Sequence, residues 1–87
     1  MPGRNRDGMG ELQALVEYIA RGLVDDPASV RVQARRRGPN VTIDLRVPAA
    51  EMGKVIGRQG RIARAMRTLL TIAAARNGLR ASLDIHE

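Results

Sequence analysis

The feature that most constrains this 87-residue chain is strict two-residue alternation over two adjacent segments. Val30, Val32 and Ala34 alternate with Arg31, Gln33 and Arg35. Beyond Arg37-Gly38-Pro39-Asn40, the residues Val41, Ile43, Leu45 and Val47 alternate with Thr42, Asp44 and Arg46. Successive side chains of a strand point to opposite faces, so each segment predicts a half-buried strand with one apolar and one polar side. Their connection is a tight turn, which predicts an antiparallel pair. Near the other end, Ala81, Leu83 and Ile85 alternate with Arg80, Ser82, Asp84 and His86, predicting a third strand of the same kind. A sheet that is apolar on one side only requires one covering layer.

The remaining apolar residues supply that layer at helical spacing. From Glu11 to Val24, the residues Leu12, Leu15, Val16, Ile19 and Leu23 form one stripe of a helix. Asp26-Pro27 fits a single helical turn. Pro48 stops the second strand, and Met52, Val55 and Ile56 predict a short helix over Ala49 to Ile56. A long helix is expected from Arg61 to about Arg76, ended by Asn77-Gly78. At about 100° per residue, Ile62, Ala65, Met66, Leu69, Leu70, Ile72 and Ala73 share its apolar side, with Arg61, Arg64, Arg67, Thr68 and Thr71 opposite. The order is α-β-β-α-α-β. It predicts an α+β domain with a three-stranded mixed sheet and three helices packed on one face, the third strand returning parallel to the middle one. Residues 1–10 read as a disordered leader and 11–87 as the domain.

One small domain has no room for a deep two-lobed cleft, which argues against large-cofactor enzymology. With no Cys, disulfide frameworks, thiolate metal sites and Cys nucleophiles are excluded. His86 is the sole histidine, and Ser29 and Ser82 are the sole serines. A catalytic triad or a histidine metal site therefore cannot be assembled within one chain, and the chain reads as no enzyme with no cofactor or metal. Glu51 and Asp44 read as solvated charges rather than a buried acid–base pair. The longest apolar runs fall far short of a membrane span and no signal peptide is readable, so a cytoplasmic location is expected.

The formal charge of +6 makes a polyanion the first partner to consider. Tyr18 is the single aromatic residue, so stacking platforms for bases are lacking, and RNA would be held mainly through backbone and aliphatic contacts. Gly57-Arg58-Gln59-Gly60 falls between the short and long helices. A bare G-x-x-G is expected about once by chance in a chain with nine glycines, so its position carries the weight. Glycines there let the chain turn tightly and another backbone approach. Gly60 also stands at a helix mouth, where free N–H groups favour phosphate. Arg61 and Arg64 occupy the first turns of that helix, where the macrodipole disfavours cations. With Lys54 and Arg58 they converge on one helix-loop-helix corner, with neutral Gln59 at its tip.

Glu51-Met52-Gly53-Lys54-Val55-Ile56-Gly57-Arg58-Gln59-Gly60-Arg61-Ile62 resembles the signature of a KH domain, and the element order resembles the type II arrangement. Residues 11–86 are similar to the small bacterial single-KH proteins of the KhpA family. That similarity includes the Leu12 to Leu23 helix, the Asp25-Asp26-Pro27 turn and the Gly-Arg-Ile-Ala-Arg-Ala-Met-Arg-Thr-Leu run from Gly60. The resemblance implies single-stranded RNA binding without catalysis, a GXXG loop clamping about four nucleotides, and aliphatic groove residues against bases. Carried onto this chain, the RNA-binding set is Gly53, Lys54, Ile56, Gly57, Arg58, Gln59, Gly60, Arg61, Ile62 and Arg64. The family further implies a homodimer or a heteromer with a Jag-type KH protein. It also implies a role as RNA chaperone or post-transcriptional regulator affecting cell shape or division, and neither a membrane nor a small-molecule substrate. Two alternatives stand beside it: a protein-interaction subunit with a vestigial groove, and a DNA-binding helix-turn-helix module. The latter is weakened because the long helix lacks Asn or Gln in its first turns for adenine readout.

Overall fold

The computed structural model describes residues 8–87. The elements follow the expected order: α1 (Met9–Leu23), β1 (Arg31–Arg37), β2 (Asn40–Arg46), α2 (Met52–Ile56), α3 (Arg61–Arg76) and β3 (Arg80–His86). Single 3-10 turns at Pro27–Ser29, Ala49–Glu51 and Arg58–Gly60 connect them. Residues 1–7 of the expected leader lie outside the described residues, whereas Met9 and Gly10 are the first residues of α1. Met9 packs against the core, which carries the helix two residues past the apolar stripe that predicted it.

The sheet order is β1-β2-β3, with β1 and β2 antiparallel and β2 and β3 parallel. The registers place Ala34 beside Ile43 and Ile43 beside Leu83, so the apolar alternation of all three strands lies on one face. Val41, Ile43 and Leu45 on the middle strand are buried beneath Leu12, Val16 and Ala20 of α1, Val55 of α2, and Met66, Leu70 and Ala74 of α3. Among the described residues no helix is long and apolar enough to cross a membrane.

The long helix departs from its expected orientation. Its buried stripe is Ala63, Met66, Leu70 and Ala74, while Ala65, Leu69 and Ile72 are exposed. A pattern weighted by hydropathy is drawn toward Leu69 and Ile72. Docking on a sheet selects by shape instead, and the small Ala63 and Ala74 bring the helix axis close, rotating the larger residues outward. Its C-terminus matches expectation. Leu79 N–H donates to the Ala74 carbonyl and Gly78 N–H to the Ala75 carbonyl, the paired bonds of a Schellman motif, with Leu79 buried next to them.

One polar contact fixes the helix layer. Glu51 is buried, and its carboxylate accepts the backbone N–H groups of Asp25 (3.1 Å) and Asp26 (3.0 Å) just after α1. The expectation that Glu51 is solvated is therefore corrected: its buried carboxylate needs donors, and the two N–H groups after α1 supply them.

Candidate nucleic-acid interface

The corner between α2 and α3 is a chain reversal made of unusual backbone. Gly57 lies at φ 78, ψ 169, Gln59 at φ 56, ψ 25, and Gly60 at φ 73, ψ 15. Gln59 is the sole non-glycine with positive φ among the described residues. Left-handed backbone in a residue with a Cβ costs about 1 kcal/mol or more and marks sites where the surroundings over-determine the conformation. Gly57 N–H donates to the Gly53 carbonyl at 2.9 Å and Gly60 N–H to the Gly57 carbonyl at 3.0 Å. Arg64 reaches back one turn, its Nη1 donating to the Gln59 carbonyl at 2.8 Å. That bond braces the loop tip from the helix that follows it.

Gly57 and Gly60 serve different ends. A Cβ on Gly57 would come within 2.6 Å of Ile62 Cγ1, so the residue is fixed by packing as well as by φ. On Gly60 a Cβ would meet only Arg64 Nη1, at 3.3 Å, and only its φ demands glycine. No side chain caps the N-terminus of α3; Arg61 N–H donates to the Arg58 carbonyl, and the positive dipole end of the helix lies beside Gly60.

The sequence-predicted residues separate into groups. Arg58, Gln59, Arg61 and Arg64 are exposed at the corner. Among the described residues the Arg58 and Arg61 side chains meet no carboxylate. Ile56 and Ile62 are half-buried against the core on either side of the loop, and Gly53 is exposed on α2. Lys54 does not join the free cations. Its Nζ lies 3.4 Å from both Asp25 Oδ2 and Glu51 Oε1. Asp25 foremost, with Glu51, pushes the Lys54 pKa up. Burial alone would raise the Glu51 pKa, but the Asp25 and Asp26 N–H groups and Lys54 outweigh it and hold the carboxyl below its ordinary value.

Two further side chains, Arg67 and Asp44, read from the sequence as solvated, find partners. Arg67 donates through Nε (3.3 Å) and Nη2 (3.1 Å) to the Leu83 carbonyl of β3, the edge strand next to α3. A guanidinium thus spans the gap between α3 and that edge. Asp44, on the outer face of β2, binds Arg35 Nε at 3.1 Å and His86 Nε2 at 3.2 Å. Burial acts to raise the Asp44 pKa, and the His86 and Arg35 contacts overcome it and lower the value. Asp44 is therefore engaged rather than free, and its partner is not Glu51.

A glycine-bounded loop of this kind, set between two helices over a three-stranded α-β-β-α-α-β sheet, agrees with the comparison to known families. Residues 13–85 match the family model described as KhpA/KhpB, KH domain. The chain belongs to this KH-domain family. It is similar to the RNA-binding protein KhpA of Aquifex aeolicus, 49% identical over 91% of this chain and 100% of the relative. The same-named protein of Halalkalibacterium halodurans is 46% identical over 85% of this chain and 97% of the relative. That of Chlamydia pneumoniae is 38% identical over 87% and 97%. The single type II KH domain expected from the sequence is the observed fold.

Proposed function

We propose that this protein binds single-stranded RNA without catalysis, gripping the phosphate backbone at the Gly57–Gly60 loop. The observation that carries the reading is the uncapped α3 N-terminus beside a strained loop whose neighbouring cations, Arg58 and Arg61, meet no carboxylate. Backbone N–H groups and guanidinium groups together recognise phosphate oxygens independently of base sequence. Its relatives named RNA-binding protein KhpA support the same ligand. In this reading Gly57, Arg58, Gln59, Gly60, Arg61 and Arg64 hold phosphates, Ile56 and Ile62 line the aliphatic wall for bases, and Gly53 leaves α2 open toward the strand. Lys54 acts indirectly, tying α2 to Asp25.

About three phosphate contacts give weak binding with a log–log salt slope near −2 on a single strand. Pairing two such domains raises avidity. Tyr18, Leu69 and Ile72 are 81%, 48% and 54% exposed, and with Leu15 and Ala73 they line one apolar groove between α1 and α3. That groove is the surface proposed for a second copy or another KH chain, through which the protein acts as a cytoplasmic RNA chaperone or post-transcriptional regulator. The test is Arg58→Asp with Gln59→Asp. It places two anions in the loop and leaves both glycines in place. Binding of a single-stranded RNA measured by fluorescence anisotropy is expected to disappear while the circular dichroism spectrum is unchanged. Retained affinity would assign the loop a structural role only.

A further inference from the structure

We propose that the uncovered face of the sheet is a second RNA-backbone surface, so that one domain holds RNA on two opposite sides. The proposal rests on the reading that RNA is the ligand and adds a site remote from the loop. The helices cover one side of the sheet, and the polar residues of the alternation make up the other. The registers convert that alternation into cross-strand rungs. Arg31 lies beside Arg46, and Arg46 beside His86. At the hairpin end Asn40 separates Arg37 from Arg80. With Arg35, five arginines share this face.

Like charges directly opposite on neighbouring strands are destabilising, so stability does not account for Arg31 facing Arg46. Nor is the Arg31 charge neutralised. Arg31 Nη1 donates to the Ala28 carbonyl at 2.7 Å, a bond that aims the guanidinium and leaves its charge intact, while Arg46 Nη1 donates to a main-chain oxygen of Glu87 at 3.1 Å. The Arg37 and Arg80 side chains meet no carboxylate among the described residues. Arg35 is matched by Asp44. Asp44 and Asp84, adjacent in register, form an acidic centre between two cationic ends.

The chemistry of the face selects its ligand. Its outward positions hold no Phe, Tyr or Trp platform to stack a base, His86 being engaged with Asp44, and no apolar residue to enter a lipid surface. Fixed guanidinium groups on a flat polar face suit phosphate oxygens, which they bind in pairs. The acidic centre repels a backbone lying across it and favours contacts at the two ends. A strand held at the loop and continuing around the domain would meet this face next, making binding length-dependent and sequence-tolerant.

The experiment uses the full chain with two single-stranded RNA probes, one of about five nucleotides that fills the loop alone and one of about 25 that can reach both faces. Arg46→Gln with Arg80→Gln removes two sheet charges, and Arg37→Gln with Arg80→Gln repeats the change at the hairpin end. Arg21→Glu changes net charge equally on exposed α1. Each lost contact contributes about 0.7 to the slope, so the sheet variants should weaken the long probe about 25-fold at 0.1 M salt and flatten its log–log slope by about 1.4. The short probe should be unaffected, and Arg21→Glu should weaken the long probe only a few-fold. Unchanged long-probe affinity overturns the proposal, as does equal loss in Arg21→Glu or equal loss on both probes. The loop variant reports separately: if it still binds the short probe, the loop reading fails whatever the sheet variants do.

Discussion

Replacing Gly57 by alanine isolates the two demands that the loop makes on its first glycine. At φ 78, ψ 169 the backbone sits in a region populated essentially by glycine alone. Holding another residue there costs about 1–3 kcal/mol. The new Cβ would also lie 2.6 Å from Ile62 Cγ1 and 2.9 Å from Ile62 Cβ and Cδ1. Relieving that overlap adds ~1–3 kcal/mol, so Gly57→Ala should lose about 2–6 kcal/mol in all. Gly60→Ala meets the first demand in milder form, at φ 73, ψ 15, and its one close neighbour is the far end of Arg64. Its expected loss is about 1–2 kcal/mol. For a domain of this size each kcal/mol lowers the melting temperature by about 4–8 °C, which separates the two variants clearly in a thermal scan followed by circular dichroism. Ile62→Ala removes two of the three clashing atoms. The pair Gly57→Ala and Ile62→Ala should therefore be non-additive by about 1 kcal/mol or more. Equal shifts for the two glycine variants, or strict additivity with Ile62→Ala, would refute the packing argument.

Three further outcomes follow from the packing and ion pairs of the domain. Leu12→Ala, at a fully buried position of α1, should cost about 3 kcal/mol in urea denaturation, with partly buried Leu15→Ala costing about half as much; a loss below ~0.5 kcal/mol at Leu12 would make α1 peripheral. Glu51 and Asp44 both titrate below their ordinary values when folded. Their stabilisation is therefore complete above the unfolded carboxyl pKa and is lost as pH falls through the lower folded values, below about pH 4. Urea midpoints should drop there, less steeply in Glu51→Gln, and an identical slope in that variant would contradict the assignment. Leu69→Asp with Ile72→Asp should leave the exposed α3 surface folded and shift sedimentation to the monomer; an unchanged mass would remove the groove as the self-association surface.

Much of the fold was legible because its main signals are periodic and local. Alternation from Val41 to Val47 identifies a one-sided strand without reference to any other segment. Leu12, Val16 and their neighbours do the same for α1, and Asn77-Gly78 marks the end of α3 through bonds that form within one turn. The rotation of α3 was not local information. Whether Leu70 or Leu69 faces the sheet depends on how closely Ala63 and Ala74 let the helix approach, which is a property of the assembled layers. The same rotation that buries Met66 puts Leu69 and Ile72 in solvent, and so creates the apolar groove that the periodic reading had assigned to the core.

The loop was legible for a different reason. Gly57 and Gly60 bear their constraint in their own backbone angles, so a turn between two helices announces them before any partner is known. Charges carry no such signal. Lys54 looks like a fourth loop cation until the chain brings Asp25 within 3.4 Å of it. Glu51 looks solvated until two N–H groups after α1 arrive. Composition supplied a net charge, but register decides which arginines face one another. Arg31 and Arg46 belong to different strands with the hairpin between them and become opposed only when Ala34 pairs with Ile43. Shifting that pairing by one residue would turn the apolar side of β1 to solvent, so the burial of Val30 and the packing of half-buried Val32 are also what hold Arg31 against Arg46. The hydrophobic core thereby sets the spacing of the cations on the opposite face, and a polyanion reading that spacing would be reading the register of the sheet.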